Sequence, residues 1–173
     1  MSSEKLPRLQ VNRQQEHILL LALFMLKHKV KKDSPPKKQV LGFIRIRGLI
    51  QVREWSNERL SNGDLAWEND IAWRRQDLKD NYYLRMPETG LWQITKLGED
   101  RLLRWATLVH YYLEAHESLE GRLDAIGCFF GEEKVVITDE TIMLADEAYE
   151  IAASTFPERI PQLTEEEKGK IRL

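Results

Sequence analysis

The sequence predicts a mainly α-helical protein with one small β-hairpin, and three observations carry that expectation. Apolar residues recur at helical spacing over most of the chain. The hydrophobic period shortens at one place, Tyr82, and two short β-prone runs there flank the loop Pro87-Glu88-Thr89-Gly90. At 173 residues, 42% hydrophobic and 31% charged, the chain is globular in composition and long enough for a small domain with an appended helical unit.

The first helix is expected over residues 13–29. Its apolar run, 18–26, is nine residues long and leads straight into Lys27, His28 and Lys29. That is well short of the ~20 residues needed to span a bilayer, and a signal peptide places its charges before its apolar stretch. No membrane segment is expected, and a cytoplasmic location is. The single cysteine, Cys128, has no partner for an internal disulfide, which agrees with a reducing compartment.

Lys32-Asp33-Ser34-Pro35-Pro36 breaks the helix. Residues 37–52 admit two readings: Val40, Leu41, Ile44, Gly48 and Leu49 suit a helix, while Phe43-Ile44-Arg45-Ile46-Arg47 alternates as a strand does. Asn62-Gly63-Asp64 signals a turn, with Asp64 as N-cap of a helix over 65–80 whose stripe is Trp67, Ile71, Arg74 or Arg75, and Leu78. The hairpin pairs 82–86 with 91–95. A long helix follows from 95–99 to about residue 119, Gly121, Gly127 and Gly131 loosen the chain, and a last helix over 139–156 is closed by Pro157 and Pro161. Residues 161–173 are expected to be a flexible, charged tail.

Three helices followed by a two-stranded hairpin is the chain order of a winged helix-turn-helix, in which the third helix enters the major groove and the hairpin lies on the backbone or in the minor groove. The expected domains are therefore a winged helix over 1–100, an acidic helical dimerisation region over 101–160, and the tail. Charge divides in the same place. Residues 1–105 carry 20 Lys+Arg against 13 Asp+Glu, a balance of +7, and residues 106–173 carry 6 against 15, a balance of −9. A basic N-terminal part can approach phosphates although the whole chain is at −2.

Residues Ile71, Trp73, Leu78 and Leu84, then Gly90-Leu91-Trp92-Gln93-Ile94-Thr95-Lys96-Leu97-Gly98, resemble the N-terminal domain of the restriction system protein Mrr family. The match covers about 65–100, with only the helical layout comparable over 13–60. Two positions depart from the pattern: the usual glycine of the strand start is Tyr82, and a small residue after the tryptophan is Arg74. The resemblance implies a duplex-DNA-binding protein in transcription regulation or DNA restriction. In that family a nuclease domain holding metal through carboxylates usually follows. Here only Asp124 with Glu132-Glu133-Lys134 echoes it, in a glycine-broken setting without the strands such a site needs. No catalytic residue, metal ligand or cofactor is assigned.

For DNA, the candidates are Arg74, Arg75, Gln76 and Lys79 on the third helix, with Arg85 and Lys96 flanking the wing. Arginine reads guanine bidentately, glutamine reads adenine, and lysine meets phosphate. Arg74 also lies near the apolar stripe and so has a structural reading, and Asp70, Asp77 and Asp80 on the same helix oppose phosphate. Those acids favour the alternatives, a protein-interaction adaptor or a non-catalytic recognition subunit of a nuclease. Lys27, Lys29, Lys31, Lys32, Lys37 and Lys38 suit non-specific backbone neutralisation. The five tryptophans are expected in the core. Finally, Leu102, Trp105, Val109, Tyr112, Leu113, Ile142, Met143 and Tyr149 offer more apolar surface than a small winged helix covers, and a homodimer is expected from it.

Overall fold

The computed structural model describes residues 8–49, 65–115 and 139–172. Six α-helices and a two-stranded antiparallel hairpin appear among them: α1 Arg8–His28, α2 Lys37–Arg47, α3 Ala66–Asp80, β1 Leu84–Arg85, β2 Gln93–Ile94, α4 Lys96–Ala115, α5 Asp139–Thr155 and α6 Glu165–Arg172. The turn at Asn62-Gly63-Asp64, Trp55, Cys128, and the Asp124 and Glu132-Glu133-Lys134 group lie outside the described residues. Two compact units divide the chain, Gln15–Leu102 on one side and the start of α1 with everything from Leu103 on the other. The first turns of α1 belong with the C-terminal unit.

In the unit Gln15–Leu102, α1 is buried without a break from Gln15 to Leu26, so its nine-residue apolar run is a core helix. After it, Pro35 and Pro36 run extended. The Trp92 N–H donates to the Pro35 carbonyl at 2.9 Å, and Pro36 bridges Leu91 in antiparallel sense. Residues 37–47 are helix, and the strand reading is set aside. Val40, Leu41 and Ile44 are buried at helical spacing while Ile46, which a strand would have placed on the same side as Ile44, is 86% exposed. Helix α2 ends at Gly48, φ +72°, a left-handed cap that donates back to the Arg45 carbonyl.

Helix α3 buries Trp67, Ile71 and Leu78. Leu65 takes the N-cap position, in extended conformation, and the Glu68 carboxylate accepts its N–H at 3.3 Å. In the hairpin Leu84 faces Ile94 and Arg85 faces Gln93; Leu84, Trp92 and Ile94 close the core.

Two buried carboxylates tie α1 to the start of α4. Glu16 pairs with Arg101 at 3.1 Å, and the Arg101 guanidinium lies 4.6 Å from the centre of the Tyr83 ring. Glu99, almost wholly buried, receives Lys27 at 3.0 Å on one oxygen and contacts the His28 ring with the other.

In the other unit, α4 buries Leu103, Trp105, Ala106, Leu108, Val109 and Tyr112, and α5 buries Leu144, Ala145, Ala148, Ile151 and Ala152. The spacing in α5 is the i, i+1, i+4, i+7, i+8 of one helical face. His110 stacks on Tyr149 at 3.9 Å. Leu102, Trp105, Val109 and Tyr112 are thus buried within the single chain, and Leu113, Ile142, Met143 and Tyr149 are half-buried. Half of the apolar residues from which a second copy was expected are covered, and the other half keep part of their surface.

A helix stands where a flexible tail was expected. Thr164 and Glu167 form a reciprocal capping box, each accepting the other's backbone N–H at 3.1 Å, and α6 grows from it. Arg104 pairs with Glu167, and Lys168 lies over the Tyr111 ring, so α6 is attached to α4.

Candidate nucleic-acid interface

Helix α3 fixes the directions of its side chains. With Trp67, Ile71 and Leu78 inward, positions 69, 73, 76 and 80 share the opposite face at spacings of four, three and four. The side chains there are Asn69, Trp73, Gln76 and Asp80. Trp73 is 62% exposed, against 5% or less for Trp67, Trp92 and Trp105. The expectation of a core tryptophan therefore fails at Trp73, and it fails because residue 73 is two positions from Ile71, on the outward side of the helix.

The arginines do not share that face. Arg74 sits at the edge of the buried stripe, its side chain 14% exposed, and pairs with Asp77 at 3.0 Å. Arg75 turns toward the hairpin, where its Nη1 donates to the Met86 sulfur at 2.9 Å and its guanidinium lies 5.8 Å from the Trp92 ring centre. Gln76 donates through Nε2 to Asp80 Oδ1 at 2.8 Å. Lys79, in the last turn, is exposed. Of the six candidate residues, Lys79, Arg85 on β1 and Lys96 at the start of α4 thus present exposed cations, while Arg74 and Arg75 are held by neighbours. Lys29, Lys31, Lys32 and Lys38 are also exposed, although Lys31 donates to the His28 carbonyl and Lys27 is taken by Glu99.

The joint between wing and α4 is built by Thr95 and Gly98. The Thr95 hydroxyl donates to the Tyr82 carbonyl at 2.6 Å and accepts the Gly98 N–H at 3.0 Å, while the Thr95 N–H donates to the Tyr83 carbonyl at 3.1 Å. One residue so caps α4 and fastens it to the end of α3. A Cβ on Gly98 would stand 2.0 Å from the Tyr83 carbonyl oxygen, so only glycine fits this close approach. The spacing of these two residues, T-x-x-G, is legible in the sequence; its cause is this contact. Tyr82 has φ +65° and is 77% exposed. The position where the resembled pattern carries glycine is therefore a left-handed one, occupied here by tyrosine at a cost of ~1–2 kcal/mol.

Among the described residues no group of three His, Cys, Asp or Glu side chains is placed to hold a metal ion, and no helix is long and apolar enough to cross a membrane. No family model, curated protein or solved structure matches the chain.

Proposed function

We propose that residues 15–102 act as a winged-helix unit that binds double-stranded DNA, in transcription regulation or DNA restriction, and that the chain is a binding module with no chemistry of its own. The observation that supports this most is the order and pairing of its elements: α1, an extended Pro35-Pro36 segment bridged to Leu91, α2, α3, then a hairpin with Lys79, Arg85 and Lys96 exposed on and beside it. In such a unit α3 enters the major groove and the cations meet phosphates. A second copy is no part of the proposal.

Anisotropy titration of a labelled random duplex at two salt concentrations tests it. Binding that weakens with salt, with a slope of about −0.9 per phosphate contacted, and that loses roughly one unit of slope in Arg85→Ala, is the expected result. Absence of salt-dependent binding to any duplex would refute it. A protein-adaptor reading is favoured by one observation, the exposed Trp73 on the same helix as Asp77 and Asp80. It predicts retention of a protein partner that Trp73→Ala abolishes, with no duplex binding.

A further inference from the structure

The geometry points to A·T base pairs as what the outward face of α3 reads. This inference rests on the duplex-binding proposal and adds the sequence class that the bound DNA must have.

Guanine is read by a free guanidinium, and α3 offers none: Asp77 holds Arg74 at 3.0 Å and Met86 with Trp92 engages Arg75. What shares the face opposite the buried stripe is the half-buried Asn69 and Gln76 with the exposed Trp73 and Asp80. Asparagine and glutamine are the side chains whose paired donor and acceptor match adenine N7 and N6, and an apolar side chain is what contacts the thymine methyl group. The two amides and Trp73 therefore favour the same base pair.

Gln76 is also held for the task. One Nε2 hydrogen goes to Asp80 at 2.8 Å, which fixes the amide and leaves the second hydrogen for adenine N7 and Oε1 to accept from adenine N6. Asp80 thus acts as a positioning residue rather than a base contact. Asp80 lies on the same face as Gln76 and its carboxylate accepts the Gln76 amide at 2.8 Å, while Asp77 is paired with Arg74 at 3.0 Å, so each acid has a partner that offsets its repulsion of phosphate. Trp73, 62% exposed, lies between the two amides.

The spacing sets the length of the site. Asn69 and Gln76 are seven residues apart, about 10 Å along the helix axis. At 3.4 Å per base pair that is about three steps, so two adenine contacts bracket a stretch of about four base pairs with a thymine methyl inside it.

The test is a competition titration of the full-length chain at fixed salt, with one duplex of mixed A·T sequence and one of G·C pairs as probes. Preference for the A·T duplex by roughly tenfold or more is expected. Gln76→Ala and Asn69→Ala, both surface changes, should bring the two affinities to within a few-fold of each other and leave G·C binding unchanged. Lys79→Ala should weaken both duplexes equally, and circular dichroism establishes that each variant is folded. Equal affinity for the two duplexes, a G·C preference, or an A·T preference that survives both substitutions overturns the inference while leaving duplex binding intact. Failure to bind either duplex overturns the duplex-binding proposal and this inference with it.

Discussion

Replacing Gly98 by alanine puts the joint between wing and α4 to a test whose sign is diagnostic. In an ordinary helix interior Gly→Ala stabilises by up to ~1 kcal/mol, because alanine is the better helix former. At Gly98 the added methyl would meet the Tyr83 carbonyl oxygen at 2.0 Å and an Ile94 side-chain carbon at 3.0 Å. The oxygen belongs to the backbone and already accepts the Thr95 N–H, so it cannot swing aside as a side-chain end would. Either the first turn of α4 tilts away or that hydrogen bond breaks. Overpacking of this kind costs ~1–3 kcal/mol and a lost backbone hydrogen bond ~1 kcal/mol. Set against the helix gain, a net loss of about 2 kcal/mol is expected. For a chain of this size that corresponds to a fall in Tm of about 4–8 °C, read by circular dichroism. Gly42→Ala in α2, where nothing lies within 4 Å of the new methyl, is the control and should be neutral or raise Tm. A Tm for Gly98→Ala equal to or above that of the parent would refute the close-approach argument.

Further outcomes follow from the same geometry. Thr95→Ala removes the cap of α4 and the hydroxyl bond to Tyr82, and a loss of ~1–2 kcal/mol in urea unfolding is expected; an unchanged midpoint would count against the cap. Glu99→Ala takes away the buried carboxylate that Lys27 and His28 reach; both can turn toward water, so a loss of about 2 kcal/mol is expected, below the range for a fully buried pair. Burial of the Glu167 carboxyl raises its pKa, but the Thr164 backbone N–H, the Arg104 charge and further hydrogen bonds outweigh this and hold it below the ordinary carboxylate range. A depressed carboxylate stabilises at pH values above its unfolded pKa and ceases to as pH falls through the folded one. Amide protection factors over 165–172 should accordingly hold down to about pH 5 and drop below about pH 4, and constant protection would exclude the pairing. Light scattering at micromolar concentration should give the monomer mass of 20.4 kDa, since the apolar faces of α4 and α5 are covered within one chain; a doubled mass would show another interface.

How much of this the sequence discloses depends on the range of each cause. Local signals are legible: the period change at Tyr82, the four-residue loop to Gly90 and the T-x-x-G spacing locate the hairpin and the start of α4. The Thr164-to-Glu167 capping box is equally local, and the charge of its surroundings obscures it, because a run of glutamates reads as a solvated tail. What cannot be read locally is which of two adjacent arginines stays free. Arg75 is drawn away by Met86, eleven residues on, and by Trp92 across the hairpin, and nothing in the helix period of α3 announces either. Glu99 is likewise silent, since its partners lie more than seventy residues back. The outward direction of Trp73 is readable in principle, since two steps from a buried Ile71 is the far side of a helix.

The proline pair beside the hairpin decides something apart from where helices end. The strand order runs from the Pro35-Pro36 segment to β2 to β1, so these two residues form one border of the sheet. Neither carries an N–H, and the carbonyl of Pro35 is already committed to Trp92. An approaching strand from another molecule finds no donor there with which to start a ladder. The opposite border is two residues long and ends in a charged arginine. A sheet bounded in this way resists edge-to-edge growth. Pro36→Val would restore a donor to that border, because residue 36 turns its nitrogen away from β2 whereas residue 35 faces Trp92, and with it a route to fibrous association.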